Sequence, residues 1–245
     1  MKRARVVYQG RVHDAAPAGS GLTLGDGRNV TEQEVEWLPP VMPETVFTLG
    51  LNYADHASEL SFKDVPEEPL VFLKGPNTFV GHRGATPRPD NVGFMHYECE
   101  LAVVIGRSAK NVKAGDAYSY VAGYTVANDY AVRDYLENYY RPNLRVKNRD
   151  ASTPIGPWLV DRDDVEDPMD LRLTTKINGE TVQDGSTADM IFSIPVLIEY
   201  LSGFMTLNKG DIILTGTPKG SVDVKTGDEV ITEVEHIGAL VNTII

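Results

Sequence analysis

Short apolar segments separated by glycine and proline turns run through most of the chain, which is the pattern of a strand-rich protein. Brief apolar runs, continuous or alternating with polar residues, favour buried or half-buried strands over helices. The predicted strands are residues 5–8, 46–51, 70–73, 101–105, 124–128, 158–160, 171–177, 212–214, 229–235 and 240–245. Strands do not alternate regularly with helices, which argues against a Rossmann fold or a TIM barrel. We therefore expect an α+β, β-rich mixed fold.

Helical patterns are fewer. Ser193 and Pro195 fit the N-cap and first turn of a helix that extends to Leu201. Asn178–Gly179 predicts a two-residue hairpin turn between two strands. Shorter helices are predicted at residues 53–60, 116–120 and 132–140.

The first 40 residues are predicted to form a unit of their own. They contain a short strand, several glycine turns, and a capping box from Thr31 to Glu34. Pro39–Pro40 then interrupts the chain. We predict a small N-terminal β-rich unit, residues 1–40, and a larger domain, residues 41–245.

Composition and charge limit the possible partners. The chain has 245 residues and a formal net charge of −12, which argues against nucleic acid and anionic membrane surfaces as partners. It has no apolar run of 18 residues and no secretory leader pattern, so we expect a cytoplasmic protein. A single cysteine, Cys99, excludes an internal disulfide and a cysteine-based zinc site.

Two glutamates precede the most apolar predicted strand. Glu98 and Glu100 share one face of an extended chain, with Cα atoms about 6.5 Å apart, whereas Cys99 and Leu101 face the other side. Neighbouring carboxylates repel each other, and a hard divalent cation such as Mg²⁺, Mn²⁺ or Ca²⁺ would offset that repulsion. Asp129, after the next predicted strand, is a third candidate ligand. The alternative is a solvent-exposed acidic face, because charged residues are mostly exposed.

Further polar residues could carry chemistry. His56 and Glu59 would touch on a helix and could activate water or move a proton, or form only a surface ion pair. Lys74 ends a predicted strand and is either a solvated strand end or part of a site, and Thr217 follows a glycine that allows close approach to a ligand.

Basic residues are concentrated after Asp129 in this acidic chain. The cluster comprises Arg133, Arg141, Arg145, Lys147 and Arg149, with Tyr135, Tyr139 and Tyr140 among them. Arginine binds carboxylates in a bidentate manner, so the cluster suits a small substrate with more than one carboxylate. An exposed basic segment that pairs with the surplus acidic residues is an equal alternative.

Several of these motifs, in this order, resemble the fumarylacetoacetate hydrolase family. They are Leu49–His56, Glu98–Cys99–Glu100, Ala127–Asn128–Asp129 and Leu214–Pro218, and the resemblance extends from about residue 42 to the end. It implies a β-rich roll fold, a homodimer, and one Mg²⁺ or Mn²⁺ held by Glu98, Glu100 and Asp129. It also implies that Lys147 and Thr217 contact the substrate and that His56 and Glu59 lie on a segment that covers it.

A narrower resemblance covers residues 52–60, 134–147 and 204–208. These segments are similar to the C-terminal half of family members, built from two tandem halves, that act in homoprotocatechuate (4-hydroxyphenylacetate) catabolism. Those members decarboxylate an unsaturated tricarboxylate and isomerise a diene-dioate. The resemblance implies a Mg²⁺- or Mn²⁺-dependent decarboxylase, isomerase or both, with a small anionic 2-oxo acid as substrate.

Within this interpretation, Lys147 is the first candidate for the proton carrier, with a pKa lowered by a neighbouring cation and arginines, and the pair His56–Glu59 is the second. The expected substrate-binding residues are Arg133, Arg141, Arg145, Lys74 and Thr217. The alternatives are C–C hydrolysis of an acylpyruvate, oxaloacetate decarboxylation, and a protein that binds 2-oxo acids without catalysis.

Overall fold

Strands dominate the structure, a computed structural model that describes residues 1–55, 66–136 and 143–245. Within these ranges the α-helices are α1 (Leu144–Lys147) and α2 (Ile194–Phe204). The strands are β1 (Lys2–Tyr8), β2 (Arg11–Ala18), β3 (Gly21–Leu24), β4 (Asn29–Val30), β5 (Glu36–Leu38), β6 (Val46–Gly50), β7 (Leu70–Lys74), β8 (Phe79–Val80), β9 (Gly84–Thr86), β10 (Met95–His96), β11 (Cys99–Ile105), β12 (Val121–Asn128), β13 (Ala131–Val132), β14 (Thr153–Asp161), β15 (Arg172–Ile177), β16 (Glu180–Ser186), β17 (Ile212–Leu214), β18 (Glu229–Val234) and β19 (Gly238–Ile244). This content confirms the α+β, β-rich class predicted from the sequence.

Most strands of the described chain join one twelve-stranded sheet. Its order is β4-β3-β2-β1-β14-β12-β11-β17-β6-β7, with β5 beside β1 and β8 beside β14. Its strands pair antiparallel, except for β17 with β6 and β14 with β8. A five-stranded sheet has the order β16-β15-β18-β19-β9, and β10 pairs with β13. The mixture of parallel and antiparallel pairs agrees with the predicted mixed topology.

The largest core cluster is built from the central strands, the five-stranded sheet and α2. Leu101 on β11, Leu173 on β15 and Leu197 on α2 are fully buried in it. The opposite face of β11 is buried as well, with Ala102 in a second cluster. A strand covered on both faces has a continuous apolar sequence, which is why the sequence predicts it well. A polar side chain at the start of β11 therefore points into protein rather than into water.

The N-terminal strands have a small core of their own and also extend the large sheet. The small core contains Ala4, Val6, Ala15, Leu22, Leu24, Val30 and Trp37. Lys2 and Arg3 of β1 pair with Val160 and Leu159 of β14. The division at residue 40 stays a prediction.

Two local predictions have different outcomes. Asn178 and Gly179 have φ angles of 50° and 87° and join β15 to β16, which confirms the hairpin turn. The helix predicted at residues 132–140 is wrong in its described part. Val132 lies in β13, where it pairs with Met95, and only Arg133–Tyr135 form a 3₁₀ turn. Pairing with β10 satisfies the backbone there, and a β-branched valine suits a strand.

Truncation of Leu101 to alanine tests the importance of the doubly covered strand. Leu101 is fully buried, so we expect L101A to lower the free energy of unfolding by about 2–5 kcal/mol. Urea unfolding measures the change. The matched control is L73A on β7, where the side chain is 55% exposed; it should change the free energy by at most about 0.5 kcal/mol. Equal effects of the two variants would contradict this description of the core.

Candidate active site

Three carboxylates converge where β11 begins and β12 ends. Cys99 of β11 pairs with Asn128 of β12, so Glu98 lies beside Asp129. The Asp129 amide donates to the Glu98 carbonyl oxygen over 3.0 Å, and the Glu98 amide donates to the Asn128 side-chain oxygen over 3.1 Å. One oxygen each of Glu98, Glu100 and Asp129 lies within 4.8 Å of the other two. The antiparallel pairing thus brings together residues about 30 positions apart in sequence.

The carboxylate cluster is buried and strongly charged. Burial raises the pKa of Glu100 well above its usual value, and the charges of Asp129 and Glu98 raise it further. Glu100 Oε2 accepts a hydrogen bond from the Gly216 amide at 2.5 Å. Glu100 Oε1 is buried and has no hydrogen-bond partner among the described residues. A buried oxygen without a donor, facing two further carboxylates, fits a hard divalent cation.

Lys147, on α1, contacts this cluster directly. Its Nζ lies 2.5 Å from Glu98 Oε2 and 2.8 Å from Asp129 Oδ2. Burial opposes the charge of this ammonium group, but Asp129, Glu98 and Glu100 outweigh burial and raise the pKa of Lys147. Carboxylates rather than arginines face the lysine, which explains this direction, and the lowered pKa predicted beside a bound cation stays a prediction.

Lys74 contacts the other side of Asp129. Its side chain is fully buried, and Nζ donates to Asp129 Oδ1 over 2.5 Å and to the backbone carbonyl of Lys147. Burial lowers the pKa of Lys74, against the opposing effect of the Asp129 charge. The second oxygen, Asp129 Oδ2, also accepts from the Thr48 hydroxyl at 3.2 Å. In this structure Lys74 orients Asp129 and the segment that carries Lys147, and its contact with substrate stays a prediction.

Arg133, like Lys147, turns toward the carboxylates. Its Nε donates to His96 Nε2 over 2.8 Å, and Nη2 lies 3.9 Å from Glu98 Oε1. Burial lowers the pKa of His96 to about 3, so the ring is neutral. Its Nδ1 donates to the Tyr97 carbonyl oxygen over 2.9 Å, which leaves Nε2 as the acceptor for Arg133. Sequence reasoning missed His96, although its position two residues before Glu98 places it in the same alternation.

Arg145 lies on the exposed side of α1, whereas Lys147 lies on the buried side. The Arg145 guanidinium carbon is 3.9 Å from the centre of the Tyr135 ring, and that of Arg149 is 5.9 Å from it. Arg145 thus stacks on an aromatic ring, whereas Arg133 lies against His96 and Glu98. Arg141 lies outside the described residues, as do His56 and Glu59.

Thr217 is placed next to the cluster by the segment after β17. It is buried, and it follows Gly216, whose amide holds Glu100. Its hydroxyl oxygen accepts from Gln183 Nε2 at 3.0 Å. Gln183 is a second residue that sequence reasoning missed.

No helix in the described part of the chain is long and apolar enough to cross a membrane.

Comparison with known proteins agrees with this geometry. A family model described as fumarylacetoacetate (FAA) hydrolase C-terminal matches residues 45–245. The chain is 56% identical over 243 residues to the 4-hydroxyphenylacetate degradation bifunctional isomerase/decarboxylase of Salmonella dublin, across 99% of this chain and 55% of that protein. It is 60% identical over 220 residues to the homoprotocatechuate catabolism bifunctional isomerase/decarboxylase of Escherichia coli, across 90% of this chain and 51% of that protein. The chain thus spans about half the length of these two relatives.

A solved structure supports the same fold. The 2-hydroxyhepta-2,4-diene-1,7-dioate isomerase from Mycobacterium marinum matches with a TM-score of 0.87 and 34% identity, across 100% of this chain and 98% of that chain. The family resemblance and the fold predicted from the sequence are therefore confirmed.

Replacing Glu100 with glutamine should raise the stability of the metal-free protein and weaken its binding of a metal ion. E100Q removes a buried charge that faces two carboxylates, and its amide oxygen can still accept from Gly216. A gain of about 1 kcal/mol in the free energy of unfolding would raise the melting temperature of the metal-free protein by about 2–4 °C. Because the pKa of Glu100 is raised in the folded state, its ionisation lowers the stability progressively as the pH rises from the unfolded-state pKa toward the folded-state pKa. The gain should therefore be larger at pH 8 than at pH 5.

The same variant should lose most of the stabilisation that Mn²⁺ gives to the wild-type protein, since a neutral amide is a poorer ligand than a carboxylate. Differential scanning fluorimetry with chelator and with Mn²⁺ measures both effects. The matched control is E180Q, at an exposed position, which should behave as wild type. An unchanged Mn²⁺-induced shift in E100Q would contradict Glu100 as a ligand.

Proposed function

The chain belongs to the fumarylacetoacetate hydrolase family, and from that premise we propose that it is a divalent-metal-dependent decarboxylase and isomerase of unsaturated 2-oxo di- or tricarboxylic acids in 4-hydroxyphenylacetate catabolism. The observation that carries this proposal is the set of three converging buried carboxylates bordered by Lys147 and Arg133. The names of the similar enzymes supply the substrate class. Because the chain spans about half of the bifunctional relatives, decarboxylation and isomerisation are tested separately.

Glu98, Glu100 and Asp129 would hold one Mg²⁺ or Mn²⁺ ion, in line with the preference of these cations for carboxylate oxygens. When bound, such an ion supplies a Lewis acid that stabilises negative charge developing on the 2-oxo oxygen of the substrate. Lys74 would orient the Asp129 carboxylate for the ion through its hydrogen bond to Oδ1.

Arg133 is placed to bind a substrate carboxylate. Its Nε–H is taken by His96, and its Nη2 lies 3.9 Å from Glu98 Oε1, at the border of the site. A planar pair of N–H donors matches the two oxygens of a carboxylate. The neutral His96 ring fixes the direction of that pair.

Lys147 is placed to move the proton. Decarboxylation breaks the bond between carbon and carboxylate, and the electron pair passes through the conjugated system to the 2-oxo oxygen as CO₂ leaves. Isomerisation needs a similar delocalised anion and the delivery of a proton to a distant carbon. The carboxylates around Lys147 keep its ammonium group protonated near neutral pH, so it acts as the proton donor.

The proposed partners follow from the same chemistry. The substrate is a small anionic 2-oxo acid, whose negative charges match Arg133 and Lys147. The homodimer implied by the family resemblance and the cytoplasmic location stay predictions.

Turnover of two compounds tests the proposal. 2-Hydroxyhepta-2,4-diene-1,7-dioate and its tricarboxylate precursor, 5-oxopent-3-ene-1,2,5-tricarboxylate, are followed by ultraviolet absorbance with Mg²⁺, with Mn²⁺ and with chelator, and CO₂ release is measured in parallel. We expect metal-dependent CO₂ release from the tricarboxylate and a metal-dependent absorbance change without CO₂ release from the dioate. No reaction with either compound, together with cleavage of an acylpyruvate into two acids, would replace the proposal by C–C hydrolysis.

Replacing Lys147 with methionine tests the proton donor. K147M keeps a long unbranched side chain but has no ionisable proton, so kcat should fall by about 10²–10⁴-fold. Steady-state kinetics with the diene-dioate gives the number. The control is K110M, at an exposed lysine that follows the other end of β11 from Glu98, which should keep full turnover. If K147M also keeps full turnover, Lys147 does not carry the proton.

A further inference from the structure

Thr217 presents a polar group at the border of the carboxylate cluster. The preceding residue, Gly216, donates its amide to Glu100 Oε2 at 2.5 Å, and consecutive Cα atoms are only about 3.8 Å apart. Thr217 is 3% exposed. A substrate bound at the carboxylates would therefore lie beside this segment.

Gln183, on β16, approaches the Thr217 hydroxyl with its side-chain amide. Its Nε2 lies 3.0 Å from Thr217 Oγ1 and 2.8 Å from the Pro218 carbonyl oxygen. A carbonyl oxygen can only accept, so the amide group must turn its nitrogen toward Pro218. The Thr175 hydroxyl, 2.8 Å from Gln183 Oε1, then donates to the amide oxygen. The orientation of the amide is fixed from both ends.

This orientation decides how the Thr217 hydroxyl can bond. A hydroxyl group carries one hydrogen and accepts through its oxygen. Because Gln183 donates to that oxygen, the hydroxyl hydrogen has to point elsewhere. Its only hydrogen bond recorded among the described residues is the one from Gln183. A buried donor that lacks an acceptor costs free energy, which an oxygen atom of a ligand would recover.

Close packing brings the segment that carries Thr217 against β16. Thr175 and Gln183 are cross-strand partners on β15 and β16. A Cβ atom on Gly185 would lie 2.5 Å from the Pro218 side chain, and one on Gly220 would lie 2.9 Å from the Val182 carbonyl oxygen. The two glycines therefore allow the segment that carries Thr217 to approach β16 closely.

We infer that Gln183 is a positioning residue that makes Thr217 a hydrogen-bond donor toward a carboxylate or 2-oxo oxygen of the substrate. The inference rests on the proposed function for the identity of that substrate. It adds a specificity rule: the group that faces Thr217 must be an acceptor, because a donor there would meet the hydroxyl hydrogen. Charged acceptors are favoured, since charge-assisted hydrogen bonds are the stronger ones.

A double-mutant cycle tests the inference with oxalate, a dianion that offers only acceptor oxygens. Wild type, Q183M, T217V and the double variant are loaded with Mn²⁺, and oxalate binding is measured by isothermal titration calorimetry. Mn²⁺ affinity is measured first and should be the same for all four proteins, because neither residue belongs to the carboxylate cluster. T217S, which keeps the hydroxyl, should bind oxalate as wild type does.

The pattern of the cycle separates positioning from general structural support. T217V should weaken oxalate binding by about tenfold, which corresponds to about 1.4 kcal/mol. Q183M should weaken it by about fivefold in the wild-type background and leave it unchanged in the T217V background, because the hydroxyl through which it acts is then missing. Equal weakening by Q183M in both backgrounds, or none in either, overturns the inference.

A second variant, T175V, keeps the inference testable if Q183M fails to fold. T175V removes the donor to the amide oxygen and keeps the shape of the side chain. It should weaken oxalate binding about two- to threefold when Thr217 is present and not at all in the T217V background, since it acts through the same chain of hydrogen bonds. An effect of T175V that is equal in both backgrounds also overturns the inference.

The outcome is distinguishable from failure of the proposed function, because oxalate binding requires no turnover. If the effects of Q183M and T217V on oxalate binding are non-additive but the protein turns over neither proposed substrate, only the proposed function is refuted. Turnover of those substrates with an additive cycle refutes the inference alone.

Discussion

The burial of three carboxylates within 4.8 Å of one another is the constraint on which the site depends. Removing such groups from water is costly, and their mutual repulsion adds to the cost. Lys147 and Lys74 provide buried positive charge on two sides of Asp129, and the Gly216 amide provides a donor to Glu100. A bound divalent ion would remove the remaining repulsion. The elements that carry these groups are therefore tied together by charge as well as by packing.

The rigid part of the fold determines where that charge is concentrated. β11 is covered on both faces and pairs with β12 and β17. β12 delivers Asp129, and the segment after β17 delivers Gly216 and Thr217. Lys74 comes from β7 at the edge of the same sheet, and it also bonds the backbone of Lys147. A side chain from a sheet edge thus bonds the end of a four-residue helix.

Much of this arrangement could be predicted from the sequence, because its central part is local. Strand geometry places Glu98 and Leu101 on opposite faces. Chain order places Asp129 directly after the next strand. Lys147 could be assigned only through the family resemblance. Arg133 points toward His96 from a 3₁₀ turn, and Arg145 lies on the exposed side of α1. Both orientations depend on how short helical turns pack, which the hydrophobic periodicity of the sequence does not reveal.

Gln183 shows a different limit. Counting back from the two-residue turn at Asn178–Gly179 would pair Thr175 with Val182. A bulge shifts the register, so that Thr175 faces Gln183 instead. One inserted residue therefore decides which side chain reaches Thr217. The pKa of Lys147 was also beyond sequence reasoning, since its direction depends on which charges lie within a few ångströms in space.

The pairing of β1 with β14 has a consequence for self-association. The outer edge of β14 is covered at Thr153 and Pro154 by β8 and at Leu159 and Val160 by β1. An uncovered strand edge offers free backbone groups to any other chain and is a template for aggregation. β1 thus shields this part of β14 from intermolecular pairing, at a place remote in sequence from every residue of the carboxylate cluster.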